Sequence, residues 1–402
     1  MPLRPAEPVL YIFTFPVSEL FKHTSYDFIF LGAGCASLSL LTRMIRSGRF
    51  RDKKILLIDR VSKKDNDRTW CFWELEPGFF EEIVFRKWRH LSFRSPGYSA
   101  SFDIAPYTYK MIRGADFYRY CSEAIEQHPG IETVYGDVKD WSFEKEDFIL
   151  HLDDTAYRFP AHGTQVFNSI YRPVTREKDI RLLQHFKGRV IETTTPVFDP
   201  GEAILMDFRV HQEHGTTFAY VLPFSSTMAL VEYTLFTKSL LPEPVYDREL
   251  DHYIQNILGI DRYEVKETEF GIIPMTTEKH AFRAGKTWQI GTAGGQTKAS
   301  SGYTFRFIQK QSGRIMQQLL KGEPLEKIRP ASSRFRFYDK TLLRILYDDM
   351  LPGHKVFSDL FRKNKPQQVL KFLDNETSVP EELQIISTLP AGPFIRAAWT
   401  QR

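Results

Sequence analysis

Residues 26–59 constrain the fold more than any other part of the chain. Tyr26 to Leu31 (YDFIFL) is a short apolar run that stops at Gly32-Ala33-Gly34-Cys35-Ala36-Ser37. A helical pattern follows from Leu38 through Ile45 and ends near Gly48, and Lys54 to Asp59 (KILLID) is a second buried-type strand. Strand, glycine-rich turn, helix and strand make a βαβ unit with a parallel pair. Strands this uniformly apolar suit a parallel sheet covered on both faces. Gly32-x-Gly34-x-x-Ser37 sits where a dinucleotide fingerprint sits. The first Gly permits the tight turn, the second lets backbone approach a pyrophosphate, and a small third residue lets helix pack on strand. The helix start offers free N–H groups and partial positive charge. Asp59, ending the second strand, is positioned for a ribose hydroxyl.

A second glycine-rich segment decides which dinucleotide. Gly291-Thr292-Ala293-Gly294-Gly295 follows a strand near residue 290 and precedes a helix from about Phe305 to Lys321. Two such segments, far apart in the chain, suit a large extended ligand held at both ends, so we expect FAD rather than NAD. Between them, Phe117 to Glu126 reads as a helix, and Thr133–Tyr135 and Val166–Ser169 as strands. From about residue 190 to 237 the pattern switches to alternation. Leu205–Arg209, Thr217–Leu222 and Ala229–Thr234 read as antiparallel strands, with a hairpin turn at Pro223–Thr227.

Composition narrows the function. At roughly 150 residues per domain, 402 residues make two or three units. Lys plus Arg is 54 against 50 acidic residues, a net charge of +4 with no concentrated basic stripe, so no nucleic-acid partner is expected. Three scattered cysteines form no disulfide framework, and Cys35 and Cys71 read as inert small hydrophobes. Neither CxxC nor HExxH occurs, so no metal site is expected. The stretch Val9 to Val17 contains Pro16, is too short to span a bilayer and lacks a cleavage site. We expect a soluble or peripherally membrane-bound protein in a reducing compartment. With 33 Phe, 18 Tyr and 6 Trp, the chain has aromatics enough for a core or for a long apolar ligand tunnel.

Two carboxylates sit inside apparent strands. Glu232 in Leu230-Val231-Glu232-Tyr233-Thr234 shares a face with Leu230 and Thr234, while Val231 and Tyr233 point the other way. A carboxyl buried there is desolvated, its pKa rises, and it is held protonated as a general acid must be. Asp207 in Leu205-Met206-Asp207-Phe208 is the second, sharing a face with Leu205 and Arg209. A solvent-facing strand position is the rival reading of each.

The chain resembles the flavin-dependent lycopene β-cyclases of bacterial carotenoid synthesis. The likeness runs through Tyr26–Leu38, Asn66–Glu74 (NDRTWCFWE), Tyr107–Phe117 (YTYKMIRGADF), Leu205–Val210, Phe218–Thr234, Phe270–Pro274 (FGIIP) and Ile290–Phe305. NDRTWCFWE and the LVEYT strand are its distinctive parts. The family carries an essential acid in a strand motif whose first acid matches Glu232; the second is Tyr233 here, so a carboxylate pair at that spot does not carry over. The resemblance implies cyclisation of the linear ψ-ends of lycopene to β-rings, without net redox, with FAD needed in its reduced form and NADPH as reductant. It implies Glu232 as the acid and Asp207 as the second choice. It also implies that Arg68 and Trp70 line a flavin–substrate junction, that Tyr109 and Arg113 contact the flavin, and that Gly302 and Tyr303 abut it. Plain core or surface packing is the rival reading for each of these.

The expected architecture is α/β: an FAD-binding Rossmann-like domain (residues 25–65, 105–175 and 270–322) with an inserted antiparallel substrate sheet (66–104 and 176–269) and a helical C-terminal region (323–402). Pro324 and Pro330 punctuate the linker to that region. The amphipathic faces of Leu342, Leu343, Leu346, Phe357, Leu360 and Phe361 suit a packed helical cap or a membrane surface. The expected location is cytoplasmic, with peripheral contact on the inner face of the cell membrane as an option. The alternatives are a redox flavoenzyme acting on a polyene, such as a monooxygenase or polyprenyl reductase, and a carotenoid or lipid carrier without turnover.

Overall fold

The structure, a computed structural model, describes residues 20–174, 176–328 and 332–400. The Val9–Val17 stretch and Pro330 lie outside the described residues.

Phe28–Leu31 is buried at every position, as is all but the last residue of Ile55–Asp59, and the two pair in parallel. They sit in a six-stranded sheet ordered Arg283–Ala284, Thr287–Gln289, Gln165–Asn168, Phe28–Leu31, Ile55–Asp59, Ile131–Tyr135. Every pairing is parallel except the short hairpin at one edge. Helices Cys35–Arg46, Gly114–Glu126 and Phe305–Lys321 cover one face, where Phe28, Phe30, Leu40, Phe117, Phe305 and Ile308 form one core. A three-stranded antiparallel sheet, Val138–Glu144, Asp147–Leu152 and Thr155–Pro160, covers the other through Phe148, Leu150 and Phe159. Coverage of both faces explains why the parallel strands carry no polar alternation.

The second large unit is a seven-stranded sheet ordered Glu264–Thr276, Arg181–Glu192, Met228–Thr237, Thr216–Pro223, Glu202–Asp207, His90–Ser95, Tyr98–Asp103. It is antiparallel apart from the Glu202–Asp207/His90–Ser95 pair. One face holds Val231, Tyr233 and Leu235 against Tyr246 and Leu250 of the Glu243–His252 helix. The opposite face holds Leu230, Phe236, Phe218 and Tyr220. There it meets a small sheet of Thr69–Glu74, Thr108–Arg113 and Arg86–Trp88, and the C-terminal helices. Five helices span residues 333–399, and Leu343, Leu346, Phe357, Leu360 and Phe361 all pack inward on this core.

The molecule is thus an α/β Rossmann-type fold with an antiparallel sheet unit and a helical C-terminal region. The pairing runs across two of the expected boundaries. The division at 269/270 falls inside Glu264–Thr276, which pairs with Arg181–Glu192 along its length. The division at 104/105 separates Thr69–Glu74 from Thr108–Arg113, which pair directly. Among the described residues, no helix is long and apolar enough to cross a membrane.

Candidate active site

The two glycine-rich turns meet at the carboxyl ends of the parallel strands. Gly32 has φ +90°, and a Cβ there would lie 2.5 Å from Ser169 Oγ. Ser37 is fully buried and its hydroxyl donates to the same Ser169 Oγ at 3.1 Å, which accounts for a small residue at the third fingerprint position. Gly34 precedes the Cys35–Arg46 helix with open space where a Cβ would stand. No side chain caps that helix and its first turn has no acid, so its N–H groups are left for a ligand. Asp59 Oδ2 accepts from the Ala33 amide at 2.6 Å and so pins the turn. Gly291 (φ +61°) lies against the start of the same helix, where a Cβ would come within 2.8 Å of Ala36 Cβ. Gly294 packs on the Gln289 carbonyl, and Gly295 on His280.

Below these turns is a cavity of about 230 Å³. Arg68, Trp70, Cys71 and Tyr109 line it from the small sheet and the loop before it. Gln184, Phe186, Tyr220, Leu230 and Glu232 line it from the large sheet, and Gly302, Tyr303 and Phe305 from the segment after the second turn. Gly302 closes on Gln184 and leaves no room for a side chain. Burial pushes the phenols of Tyr109, Tyr220 and Tyr303 well up, so all three stay protonated.

Glu232 projects into this cavity from the middle of Met228–Thr237. It is half-buried, and Thr234 Oγ1 donates to its Oε1 at 2.6 Å. Its row of the sheet reads Tyr220, Glu232, Gly188, Glu269. Gly188 presents no side chain between the two acids, and a Cβ there would meet Glu269 Cγ at 3.0 Å. The two carboxyls face one another across that gap, close enough for each to shift the other's titration. Burial, then the Glu269 charge, holds the Glu232 carboxyl well above the usual carboxylate range. Burial raises Glu269 as well, opposed by hydrogen bonds from Thr69 and Glu232. Thr69 Oγ1 donates to Glu269 Oε2 at 2.8 Å. Glu269 was not among the residues expected from sequence. Its signal is faint: in Glu264–Phe270 (EVKETEF) it is the one buried residue.

Asp207 does not join this site. A bulge between Ile204 and Asp207 slips the strand by one residue against both neighbours. Strict alternation puts Asp207 with Leu205; the bulge turns it to the Ile204 face, beneath the Glu243–Ile257 helical segment. There it is fully buried, accepting from Arg209 (Nη2 at 2.6 Å) and from Tyr253 Oη at 2.8 Å. Arg113 is likewise outside the cavity: it pairs with Asp116 at 2.6 Å and lies over the Phe85 ring. Arg68, at the rim, pairs with Asp67 at 2.8 Å. Trp70 meets Phe117 edge-on, and Tyr109 packs beside Trp73 and Trp88.

Solved structures share this architecture. A geranylgeranyl bacteriochlorophyll reductase-like protein from Thermoplasma acidophilum superposes with TM-score 0.63 at 12% identity, over 92% of this chain and 98% of that one. A flavoprotein/dehydrogenase from Cytophaga hutchinsonii gives TM-score 0.59 at 14% identity, over 94% and 99%. The p-nitrophenol 4-monooxygenase of Pseudomonas putida DLL-E4 gives 0.58 at 12%, over 92% and 98%. A sequence search of curated proteins gave no match. The fold is therefore that of the Rossmann-type flavoproteins. Within it the family is defined by sequence: the model for "Lycopene cyclase protein" matches residues 27–399, and the chain belongs to the lycopene cyclase family.

Proposed function

We propose that this protein is a lycopene β-cyclase, converting the linear ψ-ends of lycopene to β-rings with no net redox change, and that it uses FAD kept reduced by NADPH. The observation that carries the reading is Glu232: a carboxyl held in its acid form on the wall of an aromatic cavity. An alkene is a very weak base, so the acid that protonates it must be buried and shielded from water. Glu232 gives its proton to one carbon of the terminal double bond. The adjacent carbon becomes cationic, the next double bond attacks it, and the six-membered ring closes. A ring C–H then loses a proton to a carboxylate, so the enzyme recovers what it gave. Trp70, Tyr109, Tyr303 and Phe305 offer aromatic rings that favour the cation without bonding to it.

The residues present fit FAD. Gly32, Gly34 and the open helix start would hold its pyrophosphate, with Asp59 beside the adenosine side and Gly291 and Gly302 along the flavin end. Bound and reduced, FAD supplies an electron-rich ring system that favours a neighbouring cation. The carotenoid substrate comes from a lipid phase. Peripheral membrane contact is supported by the exposed Val379, Leu383 and Ile395 on the last two helices.

The test is pigment chromatography from a lycopene-accumulating bacterial host. The wild type should give β-carotene or the monocyclic γ-carotene, and Glu232→Gln should leave lycopene. Lycopene untouched by a soluble, flavin-loaded wild type would remove the cyclase reading. NADPH consumed in step with product would favour the redox flavoenzyme instead.

A further inference from the structure

We propose that Glu269 is the positioning residue for the proton on Glu232: as a carboxylate it accepts the Glu232 O–H across the gap at Gly188 and keeps the proton there between turnovers. This rests on the reading of Glu232 as the acid.

Three observations carry it. The first is the register, which sets the two acids on either side of Gly188 in one row, with only hydrogen at the position between them. The second is an orphaned atom. Glu269 is only 7% exposed, and among the described residues its buried Oε1 has no donor from any amide, hydroxyl or cation. A buried carboxylate oxygen left unpaired is costly. A proton on Glu232 supplies the missing donor. The third is the charge around the pair, which among the described residues offers no free cation to neutralise a second negative charge.

Each nearby charged group is otherwise engaged. On the strand between the two acids, Lys187 and Arg189 face the other side of the sheet and pair with Asp247 and Asp251. On the edge strand, Lys266 pairs with Glu192 and Glu264, while Glu267 accepts from Asn66. On the loop before the small sheet, Arg68 is held by Asp67. Arg113, on the middle strand of that sheet, is held by Asp116. The remaining titratable neighbours, Cys71, Tyr109, Tyr220 and Tyr303, are neutral when protonated, and burial keeps them so. The pair therefore holds one proton between two carboxyls, as like charges at close range require.

Glu269→Gln separates this role from packing, because it keeps shape and removes only charge. With Glu269 neutral, Glu232 releases its proton more readily. The alkaline limb of the activity profile should move down by about one pH unit or more. At the wild-type optimum kcat should fall by roughly tenfold or more, with KM little changed. Glu269→Asp should restore part of the rate, because it restores the charge. An unchanged profile and rate in folded Glu269→Gln would overturn the proposal. A second readout does not need cyclase activity. The infrared C=O stretch of a protonated carboxyl, identified by its loss in Glu232→Gln, should titrate at lower pH in Glu269→Gln. Titration at the wild-type pH would overturn the shared proton even if the substrate is something other than lycopene. Failure of the wild type on lycopene, with the infrared shift present, would instead remove the cyclase reading alone.

Discussion

Asp207 and Glu232 look alike in sequence, each a lone acid in an apolar strand, and they end on opposite faces of one sheet. Glu232 has Thr234 and Glu269 as partners and a cavity in front of it. Asp207 has Arg209 and Tyr253 and does not line that cavity. Asp207→Asn should therefore cost stability, not chemistry. Losing the charge-assisted bonds from Arg209 and Tyr253 should cost about 2 kcal/mol, held to that because Arg209 can turn to water. Denaturant melts should record that loss while the folded fraction still makes product. At this scale the sequence was legible where alternation held. Glu232 kept the face that its neighbours predict, whereas one bulged residue sent Asp207 to the other side. Glu269 was hidden for a different reason. It sits among Glu264, Lys266, Glu267 and Thr268, polar on both sides of the strand, so only its pairing with Gly188 reveals that it is buried.

The elements that hold the large sheet's outer face meet at His185. Its ring is fully buried between Thr237 Oγ1 and Tyr246 Oη, each at 2.6 Å from one ring nitrogen, and so joins two strands to the Glu243–His252 helix. A neutral imidazole satisfies both contacts, one as donor and one as acceptor. Burial lowers its pKa from 6.5 to about 4. The folded form therefore resists protonation that the unfolded chain accepts. Stability from this group is fully present above about pH 6.5, declines as pH falls, and stops declining below about pH 4. The slope contributed is no more than about 1.4 kcal/mol per pH unit. Thermal melts of wild type against His185→Gln across that range should show the wild type losing more with acidification. The βαβ start, the Phe305–Lys321 helix and the hairpin at residues 223–227 were all readable from period and turn residues. The Val138–Pro160 meander was not. Its strands alternate only weakly, as Val138–Glu144 (VKDWSFE) shows, and their partner surface is the parallel sheet, which no local pattern announces.

Across the whole molecule, the C-terminal helices are part of the core rather than an added cover. Trp73 Nε1 donates to the Leu370 carbonyl at 3.1 Å, Lys298 pairs with Asp339 at 2.7 Å, and Phe361 stacks on Phe93. A chain ending at residue 328 should expose the Phe93, Phe208 and Phe236 face and accumulate as insoluble protein, read by the soluble fraction after expression. The sequence showed that these helices were amphipathic. It did not show what their apolar faces meet, because that surface is assembled from strands scattered through the earlier chain, from Thr69–Glu74 to Glu264–Thr276.

The wide spacing of the parallel strands has a consequence for how the protein is made. Phe28–Leu31 leaves the ribosome early and soon has Ile55–Asp59 beside it, but its other neighbour, Gln165–Asn168, and the next strand, Thr287–Gln289, come much later. The sheet is complete only after residue 289 of 402. Pairings this distant fold slowly and leave strand edges open in the meantime. A ligand gripped by both glycine-rich turns has nothing to close on until that point, and the helices that shelter the apolar face are synthesised later still. The nascent chain thus carries an unfinished edge and a bare aromatic surface through most of its translation, which makes it a natural client for chaperones.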